Sequence, residues 1–109
     1  MLNRELYEKF LQRDTGKLPN IKDLIGQTVN PMSSFRSTYM VDGKEHIVLA
    51  ITFDQGTYRT ECGAFIQRWQ DFLETIGAEV APEDWPLIKI IEKKSKRGNS
   101  YIDFEVVME

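Results

Sequence analysis

Cysteine and histidine are almost missing from this chain: Cys62 and His46 are single occurrences among 109 residues. One thiol cannot close an internal disulfide, and one thiol with one imidazole is too few ligands for a structural zinc. Any apolar run near the ~20 residues of a membrane span is also lacking, and the opening MLNRELYEKF has no charged-then-apolar leader pattern. The expectation is a cytoplasmic protein without metal, cofactor or membrane contact. Catalytic constellations are absent too. Gly16-Lys17 lacks the upstream glycine and the following Ser or Thr of a phosphate loop, no GxSxG occurs, and spacing supplies no partner for His46. A non-enzymatic function is expected. A net charge of −3 argues against bulk-charge attraction to nucleic acid, so any such binding must use a local patch.

What is present suits one globular unit. Hydrophobic residues make up 41% and charged residues 28%, enough apolar surface for a single core. Over residues 3–13, Leu6, Tyr7, Phe10 and Leu11 recur at helical spacing, and Gly16 follows as a stop. Residues 1–20 are therefore read as an N-terminal helix and linker, packed on the fold or on a partner, and residues 21–109 as the domain. Asn20 is suited to cap a helical turn through Leu24, and extended structure is expected from residue 25.

Pro31, Ser33 and Ser34 then split or bulge the first strand, whose better half is residues 35–41. Asp42-Gly43 is a two-residue hairpin signal, because both central positions of a type I′ turn need positive φ. Residues 45–53 alternate, with Ile47, Leu49, Ile51 and Phe53 on one face. Gln55-Gly56 turns that strand into a third over residues 57–62. Phe65, Ile66, Trp69, Phe72, Leu73 and Ile76 mark a helix over residues 64–76, with Gly77 as its expected stop. Two strands, residues 87–92 and 101–107, close the chain around the turn that Gly98 and Asn99 permit.

The order helix, β-β-β-α-β-β predicts a mainly β protein with helices. It is the order of a five-stranded OB-fold barrel preceded by a short N-terminal helix, an unclosed α+β sheet being the rival. A basic set accompanies it: Lys93, Lys94, Lys96 and Arg97 at the final turn, with Arg36, Lys44 and Arg59 on the first three strands and their link. Phe35, Tyr39, Tyr58 and Tyr101 are the aromatics available to stack on bases, each with a core position as its alternative. Cations for phosphate and flat faces for bases are the two needs of a single-strand binder. Against this, alternation with Ile102, Phe104 and Val106 predicts that Asp103 and Glu105 point outward and make that strand face acidic.

The segment DLIGQTV, the meander, the amphipathic helix and the ending PLIKIIEKKSKRGNSYIDFEVV resemble small single-stranded DNA-binding-like proteins of phages and prophages of Gram-positive bacteria. The resemblance covers about residues 22–107. It implies an OB-fold that coats single-stranded DNA in phage replication or recombination, frequently as a homo-oligomer, inside the bacterial host. It also puts Lys93, Lys94, Lys96 and Arg97 in the loop between the last two strands and Lys44 in the loop between the first two. The glycine- and proline-rich tail with an acidic tip that marks bacterial single-stranded DNA-binding proteins does not appear before Met108-Glu109, a departure from the pattern that sets aside tail-mediated recruitment as an expectation. A protein-interaction module built on the same barrel, gripping a phage or host protein, is the competing class.

Overall fold

One extended stretch, interrupted at Asn30, feeds both sheets of the structure, a computed structural model that describes Asn3, Leu6 and residues 17–108. Its first part is β1 (Thr28–Val29) and its second is β2 (Pro31–Val41), followed by β3 (Lys44–Phe53) and β4 (Gly56–Thr60). Helix α1 (Gly63–Glu74) and the short α2 (Ile76–Glu79) lead through a 3-10 turn at Pro82–Asp84 to β5 (Ile88–Lys94) and β6 (Ser100–Val106). Among the described residues the strands form two antiparallel three-stranded sheets, ordered β1-β5-β6 and β2-β3-β4. Apart from Asn3 and Leu6, the expected N-terminal helix lies outside the described residues.

Local chemistry accounts for most of these boundaries. The Asn20 side chain accepts the Lys22 N–H at 3.0 Å and so caps the 3-10 turn Ile21–Leu24, which buries Ile21 and Leu24. The register shifts between Pro31 and Ser33, the expected bulge, and Asn30 and Asp54 hold the corner through two bonds of 3.1 Å. Asp42 and Gly43 adopt φ of 50° and 76°, which fixes the β2–β3 register through Val41 opposite Lys44. The final turn is likewise where it was expected, with Gly98 at φ 85°, although Lys93 and Lys94 belong to β5 itself.

Two expectations need correction. The helix breaks at Thr75, whose hydroxyl donates to the Asp71 carbonyl at 2.8 Å and competes with the backbone for the last turn, while Gly77 sits inside α2 without positive φ. The barrel is not closed, since β4 and β6 do not pair. The outer edge of β4 is already occupied: the Arg59 N–H donates to the Pro19 carbonyl at 2.9 Å, and Asn20 bridges Arg59 in parallel. On β6, the Phe104 N–H is satisfied by the Asp103 carboxylate at 2.8 Å. Edge groups that a closing strand would use are thus taken by a neighbouring segment and by a side chain.

The core lies between the sheets and α1. Leu49, Ile51 and Phe53 of β3 meet Phe65, Ile66, Trp69 and Phe72 of α1 and Ile88, Ile90, Ile102 and Phe104 of the hairpin. At its centre the Trp69 ring is 4.6 Å from Phe72 and 5.8 Å from both Trp85 and Phe104. Its indole N–H donates to Ser34 Oγ at 2.9 Å, so the largest core side chain leaves no orphan donor.

Candidate nucleic-acid interface

Strand pairing decides which side chains share a face, because residues directly opposite in a sheet point the same way. Arg36, Leu49 and Thr60 form one row, and Ser34, Ile51 and Tyr58 another; both belong to the face that meets α1. The opposite face carries the row Phe35, Ala50 and Arg59, the pair Tyr39 and His46, and Lys44 opposite Val41. Four of the expected residues, Phe35, Tyr39, Lys44 and Arg59, therefore gather on the sheet face turned away from the helix. Phe35, Tyr39 and Arg59 are half-buried and Lys44 is exposed.

Arg36 and Tyr58 are not part of that group. Arg36 points to the helix side of the sheet, where it lines a groove of about 370 Å³ that runs from Gln67 and Gln70 of α1 round to His46 and Glu61. Tyr58 packs against the core, its ring 6.2 Å from Phe53, because its strand parity matches Ile51. Base stacking was one of two alternatives for Tyr58, and the packing favours the other.

The second basic region is the β5–β6 hairpin. Lys94, Lys96 and Arg97 are exposed, without an ion pair among the described residues. Lys93 differs: its Nζ lies 2.9 Å from Asp103 Oδ2, and this bond and charge hold its proton above the usual lysine range. Asp103, expected to face water, is 8% exposed. Arg68 of α1 reaches over β6, with Nε 3.3 Å from Asp103 and its guanidinium 5.8 Å from the Phe104 ring centre. The predicted acidic strand face is thus neutralised at Asp103 by two cations, while Glu105 remains exposed.

Sequence reading missed two participants on the outer face. His46 stacks on Tyr39 with ring centres 5.1 Å apart and 15° between planes. Glu61 accepts the Tyr39 hydroxyl at 2.6 Å and an Arg59 guanidinium N–H at 3.2 Å. That hydrogen bond, with partial burial and the nearby negative charge, raises the Tyr39 phenol above its ordinary pKa. Both residues had a signal. Counting outward from Asp42-Gly43 puts His46 opposite Tyr39, and Glu61 shares strand parity with Arg59.

Tyr101 is half-buried in a groove of about 620 Å³ that runs past Thr60, Glu61 and Cys62 to Ser100 and Ile102. Glu61 lines both grooves, and Ser100 pairs with Lys94. A surface path therefore leads from Tyr39 and His46, past Glu61, to Tyr101 and the base of the basic turn. Cys62 sits at its wall with Sγ 3.9 Å from the Ile102 carbonyl and packs against the core as a small apolar group. No protein-family model, curated protein or solved structure matches the chain.

Proposed function

We propose that this protein binds single-stranded DNA with little sequence preference, as a non-enzymatic open barrel of OB type. The observation that carries the reading is the alignment of Phe35, Tyr39, Lys44 and Arg59 on one face of the β2-β3-β4 sheet. Flat side chains stack on bases of any identity, and neighbouring cations follow the backbone, which is the combination a sequence-tolerant binder requires. Lys94, Lys96 and Arg97 add exposed cations at the hairpin. Ser37 Oγ and Arg59 Nε of the same sheet face are buried without a hydrogen-bond partner among the described residues. The resemblance to phage proteins adds the setting: replication or recombination in the cytoplasm of a bacterial host, with self-association and phage replication or recombination proteins as partners.

The test is fluorescence anisotropy of a labelled single strand with two variants whose thermal midpoints are first compared with wild type. Lys94→Glu combined with Arg97→Glu flattens the salt dependence by about 0.7 in log-log slope per lost phosphate contact. Phe35→Ala weakens binding by about 1–3 kcal/mol if it removes one stacked base. Unchanged affinity and slope in both variants would remove the face and the turn from the site.

A second reading has its own observation. The groove beside Tyr101 presents Asp23, Glu61 and Glu92 against Lys22 alone and exposes Ile25, a lining that favours a basic, partly apolar protein segment over a phosphate chain. Purified protein free of nucleic acid, judged from its ultraviolet absorbance ratio, together with no affinity for single strands, is the outcome that favours this module.

A further inference from the structure

A single carboxylate ties the outer sheet face together. Glu61 Oε1 accepts from the Tyr39 hydroxyl at 2.6 Å, and Oε2 accepts from Arg59 Nη1 at 3.2 Å. His46 Nδ1 lies 3.9 Å from the same Oε1, and the His46 ring is stacked on Tyr39. One anion thus sits among a guanidinium, a phenol and an imidazole, beside a stacked pair of rings. Replace the carboxylate by a phosphodiester and the donors are unchanged: a guanidinium fork and a hydroxyl suit either anion. The Nε of Arg59 is buried without a partner among the described residues, so the Nη end of the guanidinium is what meets Glu61.

We infer that Tyr39, His46 and Arg59 form a subsite for one nucleotide, and that Glu61 occupies its phosphate position in the free protein as a built-in competitor. This rests on the single-stranded DNA reading above. A phosphate cannot approach Arg59 while the carboxylate remains, because two anions at one cation repel each other, so binding requires Glu61 to swing away. Its position favours that role over a purely structural one. It follows the last residue of β4, its side chain is 39% exposed, and it lines both grooves on the surface path, so it can leave without disturbing the core. The competitor sets the affinity: a strand must offer enough other contacts to displace it, which disfavours isolated nucleotides and short fragments.

The experiment compares Glu61→Gln with wild type for a labelled mixed-sequence single strand, measured by anisotropy at one salt concentration. Glu79→Gln, on α2 and outside both grooves, controls for the net-charge change. Glutamine keeps the shape and the acceptor for Tyr39 but no longer competes as an anion for Arg59. The expected result is binding about twofold to fivefold tighter than wild type, the scale of one partly exposed ion pair, and tighter than the Glu79→Gln control. If wild type binds and Glu61→Gln binds equally to the control or more weakly, Glu61 positions Tyr39 and Arg59 instead, and the inference fails while the function stands. If no form binds, both fail. Glu61→Ala, with its thermal midpoint checked, repeats the comparison without the residual amide.

Discussion

Lys93 and Asp103 lie on adjacent strands of the final hairpin, their charged atoms 2.9 Å apart, and this pair separates one lysine of the basic turn from the other cations. Lys94, Lys96 and Arg97 project into solvent, whereas Lys93 joins Arg68 in neutralising a carboxylate that also holds the Phe104 N–H. A cluster that is uniform in sequence is therefore divided between structure and surface.

Asp103→Ala removes three partners at once and leaves the Phe104 N–H unsatisfied. The expected loss is about 1–3 kcal/mol, the range for orphaning a buried polar group. For a domain of this size that lowers the thermal midpoint by roughly 4–8 °C per kcal/mol. Asp103→Asn retains an acceptor and loses less. A midpoint for Asp103→Ala equal to wild type would show that the β6 edge does not depend on this carboxylate.

Tyr39 links stability to alkaline pH. Its hydrogen bond to Glu61 raises the folded phenol's pKa, so the folded state keeps this proton where the unfolded chain releases it. The contribution is complete below the unfolded value of about 10 and is lost as pH rises through the folded value. Phenolate absorbance during titration is expected to show a late-ionising tyrosine that disappears in Tyr39→Phe. In Glu61→Gln the same group ionises earlier than in wild type.

At the β2–β3 turn, Gly43→Ala is expected to cost about 1 kcal/mol in denaturant unfolding. The cost is conformational alone: φ is 76° and an added Cβ meets nothing within 4 Å. Asp42→Asn is expected to be near neutral, because Asn accepts the positive φ of that position.

Trp69 is the packing test. With 1% of its surface exposed and aromatic rings on several sides, Trp69→Ala is expected to lose about 3–5 kcal/mol, a large share of the 5–15 kcal/mol typical of a domain. Ser34→Ala leaves the indole N–H without its acceptor and is expected to cost about 1–3 kcal/mol, read from the shift in denaturant midpoint.

What could be read from the sequence was local. The Asp42-Gly43 turn fixes the register that brings Tyr39 to His46, alternation picks out Leu49, Ile51 and Phe53 of the core but not the burial of Val48 and Ala50 on the other face of β3, and helical spacing selects Phe65, Ile66, Trp69 and Phe72. Where distant segments decide, local pattern is silent. Asp103 is covered by Arg68 of α1, and residues 19 and 20 occupy the β4 edge that a closing strand would use. Arg36 and Tyr58 show the same limit on the site. Their chemistry suits nucleic acid, but strand parity turns them toward the helix side of the sheet.

Single-strand binding is tested most simply by anisotropy of wild-type protein with a labelled mixed-sequence single strand long enough for several sites of ~4–16 nucleotides. The measurement is made at low and at physiological salt, with duplex of the same sequence alongside. The expected result is binding to the single strand that weakens with salt by about 0.7 in log-log slope per phosphate engaged, and much weaker binding to the duplex. No binding to the single strand at low salt, or equal binding to both forms, would contradict it.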